Sequence, residues 1–585
     1  MAAANTEIHD ASSKLDVSVE SSIQSVINVL DGQAKLLAAD EELRADVGSA
    51  QPDVWSPLRR MWTLLSMAHS AMVSEDDDDA HEAVLRNFTV SLARFTRNLV
   101  AAVTANQERA FENEPDVRAL LRHYTSYTVL QNPKSLDATR MLIQALCNLV
   151  TGNEILLSRL WELYLELPEE QLILLRLFGV EDTATTTAAF VLVLNCLHDS
   201  KHRTSLLTDS TNGPRLCISL LDRIASVFEA EQETNSSPAF EIGYRIFTKI
   251  VETNAIPAAY SRIAVEGEVV SPHQTTLLKL LDSYLQPSQP RELAPDSNEL
   301  RVLCAFLTRE FFVLSAYTCR AISRALGPAD ASATQPHDAR DDDALRDATA
   351  GAPPDAPAPA SPGPLQELDL LLPKVCEALV LVTQCLTSLA LASEEHYAQA
   401  APLARAPQPH GERLADAVAS ATSPAGAQGF VECLVETLRE LDRFLPRITL
   451  GKVAPGAVPV DRLPEGVRGL REAQTAHGGG AAGTRTDNPK GFQFLKRDLV
   501  RLLGILVSDR RATQDRVRAC GGVQVVMNMC VIDERNPFLR EHAIFTLRNL
   551  LHGNKENQAL VEEIKPVGEW DDNGMLQGRG HAVQR

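Results

Sequence analysis

Apolar residues recur along this chain every three to four positions, in stretches bounded by short polar breaks. That spacing marks amphipathic helices rather than the alternation of strands. The first clear segment is Ser22 to Ala39, where Ile23, Val26, Ile27, Val29, Leu30, Leu36 and Leu37 form an apolar face; residues 1–20 read as frayed. A helix over Trp55 to Met72 precedes the acidic run at 75–79, which reads as a solvated loop rather than a binding patch. From Ala83 to Leu326 helical patterns follow one another, among them Leu136–Val150, Glu154–Leu165, Thr185–His198 and Arg215–Phe228. Pro168, Pro214, Pro238, Pro257 and Pro272 fall near segment ends, where a missing N–H is tolerated.

The pattern then breaks. Residues 327–364 are thick with Pro, Ala and Asp and nearly free of large apolar side chains, so they cannot bury enough surface to offset chain entropy. Segments 402–429 and 451–487 have the same character in weaker form, while Leu365–Ser393 and Phe430–Phe444 between them look helical. The expected organisation is a disordered N-terminus (1–20), helical repeats (21–326), a disordered insertion (327–364), and further repeats (365–450) with a loop near 402–429. A disordered linker (451–487), a last repeat module (488–565) and a flexible tail (566–585) complete it.

Sliding the sequence against itself exposes a repeat. At an offset of 44, Leu495 meets Leu539, Leu503 meets Leu547, Leu506 meets Leu550, Gln514 meets Gln558 and Val517 meets Val561. Earlier copies exist. Val193–Leu207 shares Asn195, Leu197, His198, Lys201 and Leu206 with Asn549, Leu551, His552, Lys555 and Leu560, and Leu146–Glu154 shares Leu146, Asn148, Leu149, Gly152 and Asn153 with Leu547, Asn549, Leu550, Gly553 and Asn554. A helical period in the forties belongs to armadillo and HEAT arrays. In the last copy, Asn536 is the expected N-cap with Pro537 at the first helical position. Phe538–His552 is apolar on more than one side and is expected to be buried between neighbours, Gly553 closes it, and Asn554 caps the next short helix. Gly521-Gly522 supplies the sharp turn between two shorter helices upstream.

Residues 488–565 resemble the C-terminal domain of the ataxin-10 family, in the pieces FLKRDLVRLLG, Gly521-Gly522 with its apolar helix, NPFLREHAIFTLRNLL and GNKENQ. Ile505 stands where that family usually has Asn, His542 stands where Trp is common, and the Pro/Ala-rich insertions are long. The resemblance implies an armadillo-like cytoplasmic adaptor linked to cytokinesis and cell-division control.

Composition narrows the function. The net charge is −21, which disfavours nucleic-acid partners, although residues 490–565 carry 13 Lys and Arg against 9 Asp and Glu. No basic start with an apolar core opens the chain, so a cytoplasmic location is expected. The apolar stretch 378–392 is interrupted by Thr383, Gln384, Thr387 and Ser388 and falls short of a membrane span. The ten cysteines show no CxxC pair and read as buried thiols. Gly478, Gly480 and Gly483 fit GxGxxG, but polar flanks make this a linker and not a dinucleotide loop. With no nucleotide, hydrolase or zinc motif, neither catalysis, cofactor nor metal is expected.

The candidate partner-binding residues are Asn148, Asn195, Asn549, Arg540, Lys496 and Arg497. In peptide-binding armadillo proteins an Asn at this point of the long helix faces the concave groove, where its donor and acceptor suit a peptide backbone. The competing reading has each Asn capping or bridging neighbouring loops inside the solenoid. The expectation is therefore an all-α, armadillo/HEAT-like α-solenoid with disordered Pro/Ala/Gly-rich insertions. It would act as a non-catalytic scaffold for other proteins, with self-association through a terminal repeat compatible with the architecture. The alternative is an armadillo-fold regulator, an exchange factor or chaperone, of a GTP-binding protein.

Overall fold

The structure is a computed structural model that describes residues 2–71, 79–231, 238–286, 297–326, 371–400, 413–449 and 494–563, apart from single positions, with short pieces elsewhere. The insertion at 327–364 and nearly all of 451–487 and 564–585 lie outside the described residues, as does the acidic run except Asp79. The chain divides into two compact units, Met1–Tyr284 and Leu285–Arg585.

Unit 1 is built from three rows of helices. Long helices α2 (Glu20–Leu37), α5 (Asp79–Val100), α9 (Ser135–Val150), α12 (Thr183–Leu197) and α15 (Pro238–Glu252) pack each on the next. A second row, α1 (Ala2–Ser13), α4 (Trp55–Ala71), α7 (Glu114–Tyr124), α11 (Ile173–Phe178) and α14 (Gly213–Glu231), backs them in the same order. Short helices α3 (Glu41–Ser49), α6 (Thr104–Ala110), α10 (Glu154–Glu166), α13 (Lys201–Asp209) and α16 (Ile256–Arg262) join the rows, and α8 (Tyr127–Leu130) and α17 (Pro272–Leu285) complete the unit. Short helix, backing helix, long helix is the armadillo repeat, and the core is the aliphatic seam between rows, with Leu92, Leu142, Leu146, Phe190 and Val193 fully or almost fully buried.

The N-terminus is ordered, contrary to the frayed start expected. Ile8 is buried, and Asn5 Nδ2 donates to the carbonyls of Val47 (3.1 Å) and Pro52 (2.9 Å), which ties α1 to the first repeat. The helix is only weakly amphipathic, so contacts made by the rest of the fold hold it.

Unit 2 stacks α18 (Asn298–Leu326), α19 (Leu372–Ala400), α22 (Leu495–Leu506) and α25 (Leu539–Leu551). Around them pack α20 (Leu414–Ser420), α21 (Phe430–Phe444), α23 (Arg511–Ala519), α24 (Gly522–Asn528) and α26 (Lys555–Glu563). Helix α20 occupies the stretch read as a loop; Leu414, Ala415, Val418 and Ala419 are buried on one side of it. Helices α18 and α19 are long and apolar enough to cross a membrane by length and composition, yet 56% and 61% of their apolar windows are buried within the unit. Residues Ile448–Thr449 pair with Lys452–Val453, and Gly568–Trp570 with Leu576–Gly578, as short antiparallel ribbons.

The offset of 44 is a real structural period. Phe494 and Phe538 immediately precede α22 and α25, and both adopt left-handed backbone, with φ of 65° and 66°. Phe538, not Asn536, is therefore the boundary residue of α25; Asn536 instead donates Nδ2 to Asp533 at 2.8 Å. Gln514 Nε2 reaches the Val507 carbonyl at 3.2 Å, and Gln558 Nε2 reaches the equivalent Leu551 carbonyl at 2.8 Å. Each adds a side-chain donor to a carbonyl at a helix C-terminus. Asn554 Oδ1 accepts from the Asn557 N–H at 3.0 Å and so caps α26.

Candidate functional site

Helical spacing places a partly polar strip on the groove side of α9 and α12. In α9, Leu142, Ala145, Leu146 and Leu149 turn inward, leaving Gln144 and Asn148 four residues apart on the other face. In α12, started by the Asp182 carboxylate accepting from the Thr185 N–H at 2.7 Å, the corresponding strip is Thr183, Thr187 and Val191. Together with Ala38, Arg44, Arg97, Asn98 and Ala101 from the first two repeats, these residues line an open groove of about 840 Å³.

The asparagines step from one repeat to the one before. Asn148 Nδ2 donates to the Arg97 carbonyl at 3.1 Å, and Asn195 Nδ2 to Thr151 Oγ1 at 2.8 Å. In unit 2, Asn549 Nδ2 donates to the Gly504 carbonyl at 2.9 Å. Each is half-buried, with one amide hydrogen committed to the fold. Asn148 lines the groove, Asn195 lies outside its lining, and Asn549 belongs to the other unit. A further rung went unread in the sequence. Asn98 Nδ2 donates to the Ala34 carbonyl at 2.8 Å, and the signal was present, since Arg97-Asn98-Leu99 repeats Arg548-Asn549-Leu550.

Two arginines supply the groove's charge. Arg44 is spent on helix ends, its Nε, Nη1 and Nη2 reaching the carbonyls of Leu37 (2.8 Å), Ala101 (2.9 Å) and Ala38 (3.0 Å). Arg97 is different. Its Nε donates to Asn98 Oδ1 at 3.1 Å and its Nη1 to Gln144 Oε1 at 2.7 Å, both neutral acceptors. Among the described residues lining the groove there is no Asp or Glu. Nearby carboxylates have their own cations: Asp31 meets Arg94 at 2.9 Å, and Asp182 takes a two-pronged pair from Arg140 at 2.8 and 2.5 Å. The Arg140 bond holds the Asp182 carboxyl down to about 2, whereas burial and then the neighbouring Arg94 push the Arg97 guanidinium below its usual value.

The basic candidates of unit 2 separate. Lys496 is only 1% exposed, its Nζ 3.0 Å from Asp442 Oδ1 and 2.5 Å from the Leu445 carbonyl, so it belongs to the interior and offers nothing to a partner. Arg497 lies over the Phe494 ring at 4.2 Å and donates to Asp498 at 2.7 Å. Arg540 is exposed. It lies beside an apolar surface at the start and along the side of α25: Phe538, just before the helix, is 67% exposed, Phe545 50% and Ile544 47%, because among the described residues no further long helix covers that side.

The ten cysteines are all free and seven are buried, where burial raises thiols such as Cys196, Cys217 and Cys376 to about 12. These are unreactive groups. Among the described residues no cluster of three or more His, Cys, Asp or Glu is placed to hold a metal ion.

Comparison with known proteins concerns mainly the C-terminal module. Residues 495–585 match the family model described as the spinocerebellar ataxia type 10 protein domain. The chain is 40% identical over 79 residues to the ataxin-10 homolog of Dictyostelium discoideum, which covers 14% of this chain and 12% of that one. It is 34% identical over 85 residues to ataxin-10 of Xenopus tropicalis, or 14% and 17% of the two chains. The chain thus matches less than a fifth of the length of either relative. Among solved structures, SYS-1 aligns over 90% of this chain and 69% of its own at 12% identity and a TM-score of 0.32, a likeness that carries no argument beside the helix packing itself. The similarity to the ataxin-10 family is thus carried by the C-terminal domain, residues 495–585.

Proposed function

We propose that the chain is a non-catalytic scaffold that holds other proteins, acting in the cytoplasm and, by its resemblance to ataxin-10, in the control of cytokinesis. The observation that carries this reading is the groove of unit 1, where successive long helices present Asn98, Gln144, Asn148 and Thr187 along one face. Asn148 has one amide hydrogen committed to Arg97, so its oxygen and second hydrogen are available to a ligand backbone. Packing of α18 and α19 within unit 2 supports reading them as core helices rather than membrane spans. The exposed Phe538, Ile544 and Phe545 with Arg540 form a second candidate surface.

The test is cross-linked capture from cells followed by mass spectrometry, comparing wild type with Ala184→Trp, which fills the groove, and Phe545→Ser. Folding is checked by circular dichroism. Partners lost from a folded variant assign them to that surface. An unchanged partner set in both variants sinks the reading.

A further inference from the structure

Resting on the scaffold reading, we infer that the groove of unit 1 takes an extended segment of a partner protein, anchored by an Asp or Glu carboxylate on Arg97. The ligand's shape follows from what lines the groove. Ala38, Ala101, Ala184 and Ala188 make a floor of small side chains with no deep pocket for a large apolar anchor. The amides of Asn148 and Gln144 stand above it, and side-chain amides match unpaired backbone N–H and C=O groups. An extended chain carries such groups along its length, whereas a helix has consumed its own. Crossing from α2 to α12 traverses three helix spacings of roughly 9 Å, room for about eight extended residues.

Charge selects the anchor. Arg97 gives one Nε and one Nη1 hydrogen to neutral oxygens and keeps both Nη2 hydrogens and one Nη1 hydrogen without an acceptor among the described residues. Asn98 and Gln144 hold the guanidinium in place, so little freedom is lost when it is engaged. A half-buried guanidinium with no carboxylate is incompletely compensated, and a planar two-oxygen anion matches its fork. The nearby acids cannot serve, because Arg94 holds Asp31 and Arg140 holds Asp182. The chain as a whole, at −21, repels acidic partners in general. Specificity then requires the carboxylate to sit on Arg97 rather than on a diffuse basic surface.

A phage-displayed library of random twelve-residue peptides, selected on the purified full chain, tests this without assuming a partner. The expected result is enrichment of peptides sharing an Asp or Glu among small residues. A synthetic peptide from the selection, read by fluorescence polarisation, should bind at least tenfold more weakly to Arg97→Gln and to Ala184→Trp than to wild type. Replacing its acid by the amide should cause the same loss, and that loss should vanish in Arg97→Gln. Lys keeps the charge without the fork, so Arg97→Lys should restore part of the affinity and guard against a folding artefact. Peptides that lack an acid but are still lost in Ala184→Trp overturn the carboxylate anchor while leaving the groove reading intact. No enrichment, or binding indifferent to Ala184→Trp, overturns both.

Discussion

The Asn549 amide donates its Nδ2 hydrogen to the Gly504 carbonyl at 2.9 Å, joining two long helices at residues 45 apart in sequence. The same Asn-to-preceding-helix bond recurs from Asn148 to Arg97 and from Asn98 to Ala34. Stacked repeats bury aliphatic surfaces that could slide past one another, and a directional bond from a fixed side chain sets the register. Where Ile505 occupies the corresponding position of α22, the link to α19 is made elsewhere, by Gln384 Nε2 to Asp498 Oδ2 at 2.8 Å.

Asn549→Ala is therefore expected to destabilise unit 2 by about 1 kcal/mol, the net worth of a single half-buried hydrogen bond. Asn549→Asp should cost more, because a carboxylate has no hydrogen to give the Gly504 carbonyl. Urea unfolding followed by circular dichroism separates the two; equal stability of all three proteins would remove the register role.

Close approach at the same interface makes Gly504 irreplaceable. A Cβ there would lie 2.5 Å from Thr546 Oγ1, and Thr546 is fixed by its own bond to the Val500 carbonyl at 2.9 Å. Gly504→Ala should cost about 1–3 kcal/mol through overpacking. Combining it with Thr546→Ala should cost less than the sum of the single changes, since the second removes the obstructing oxygen. Thermal melts of the four proteins close the cycle.

Acid should weaken unit 1 through a buried histidine. His69 Nδ1 lies 2.9 Å from the Leu65 carbonyl and Nε2 lies 2.8 Å from Tyr124 Oη, with the His123 ring centroid 4.8 Å away. Burial first, opposed by the Leu65 bond and reinforced by His123 and His81, lowers the His69 pKa from 6.5 to about 4. The unfolded chain then binds more protons than the folded one between these values. Stability is fully present above pH 6.5 and declines as pH falls toward 4, by on the order of 3 kcal/mol if the whole shift is expressed. His69→Gln should flatten that slope in melts taken at pH 7 and pH 5; an unaltered slope would place the acid sensitivity elsewhere.

Lys496→Ala should destabilise unit 2 by about 3 kcal/mol, because it leaves the partly buried Asp442 and the Leu445 carbonyl at the end of α21 without their donor. Lys496→Met keeps the stem's packing and should recover part of the loss. Denaturant midpoints of the three proteins decide it.

Periodicity in the chain carried much of this architecture. The three-to-four spacing specified helices, and the offset of 44 identified the repeat that appears as paired left-handed residues at Phe494 and Phe538 and as matching caps from Gln514 and Gln558. Gly553, placed at a helix end by its residue type, is in the left-handed region at φ 66°. These features are local, and local chemistry is written in neighbouring residues. The candidate site was less legible. Repeat matching singles out Asn148 but not its company, because Arg97 and Gln144 come together only when two long helices pack.

What the sequence determined by itself was the helical class, the length of the repeat and the residue types at each helix terminus, since these follow from spacing and capping chemistry. Only the tertiary structure decided which polar side chains are consumed by the fold. Lys496 and Arg497 are adjacent in sequence and alike in charge, yet one is buried against Asp442 and the other lies over an aromatic ring. The same packing buried Asn5, Ile8 and Ser12 of weakly amphipathic α1 and left Phe538, Ile544 and Phe545 at and within α25 exposed. Burial is a property of what stacks on a helix, and the identity of that neighbour is fixed by the path of the whole chain.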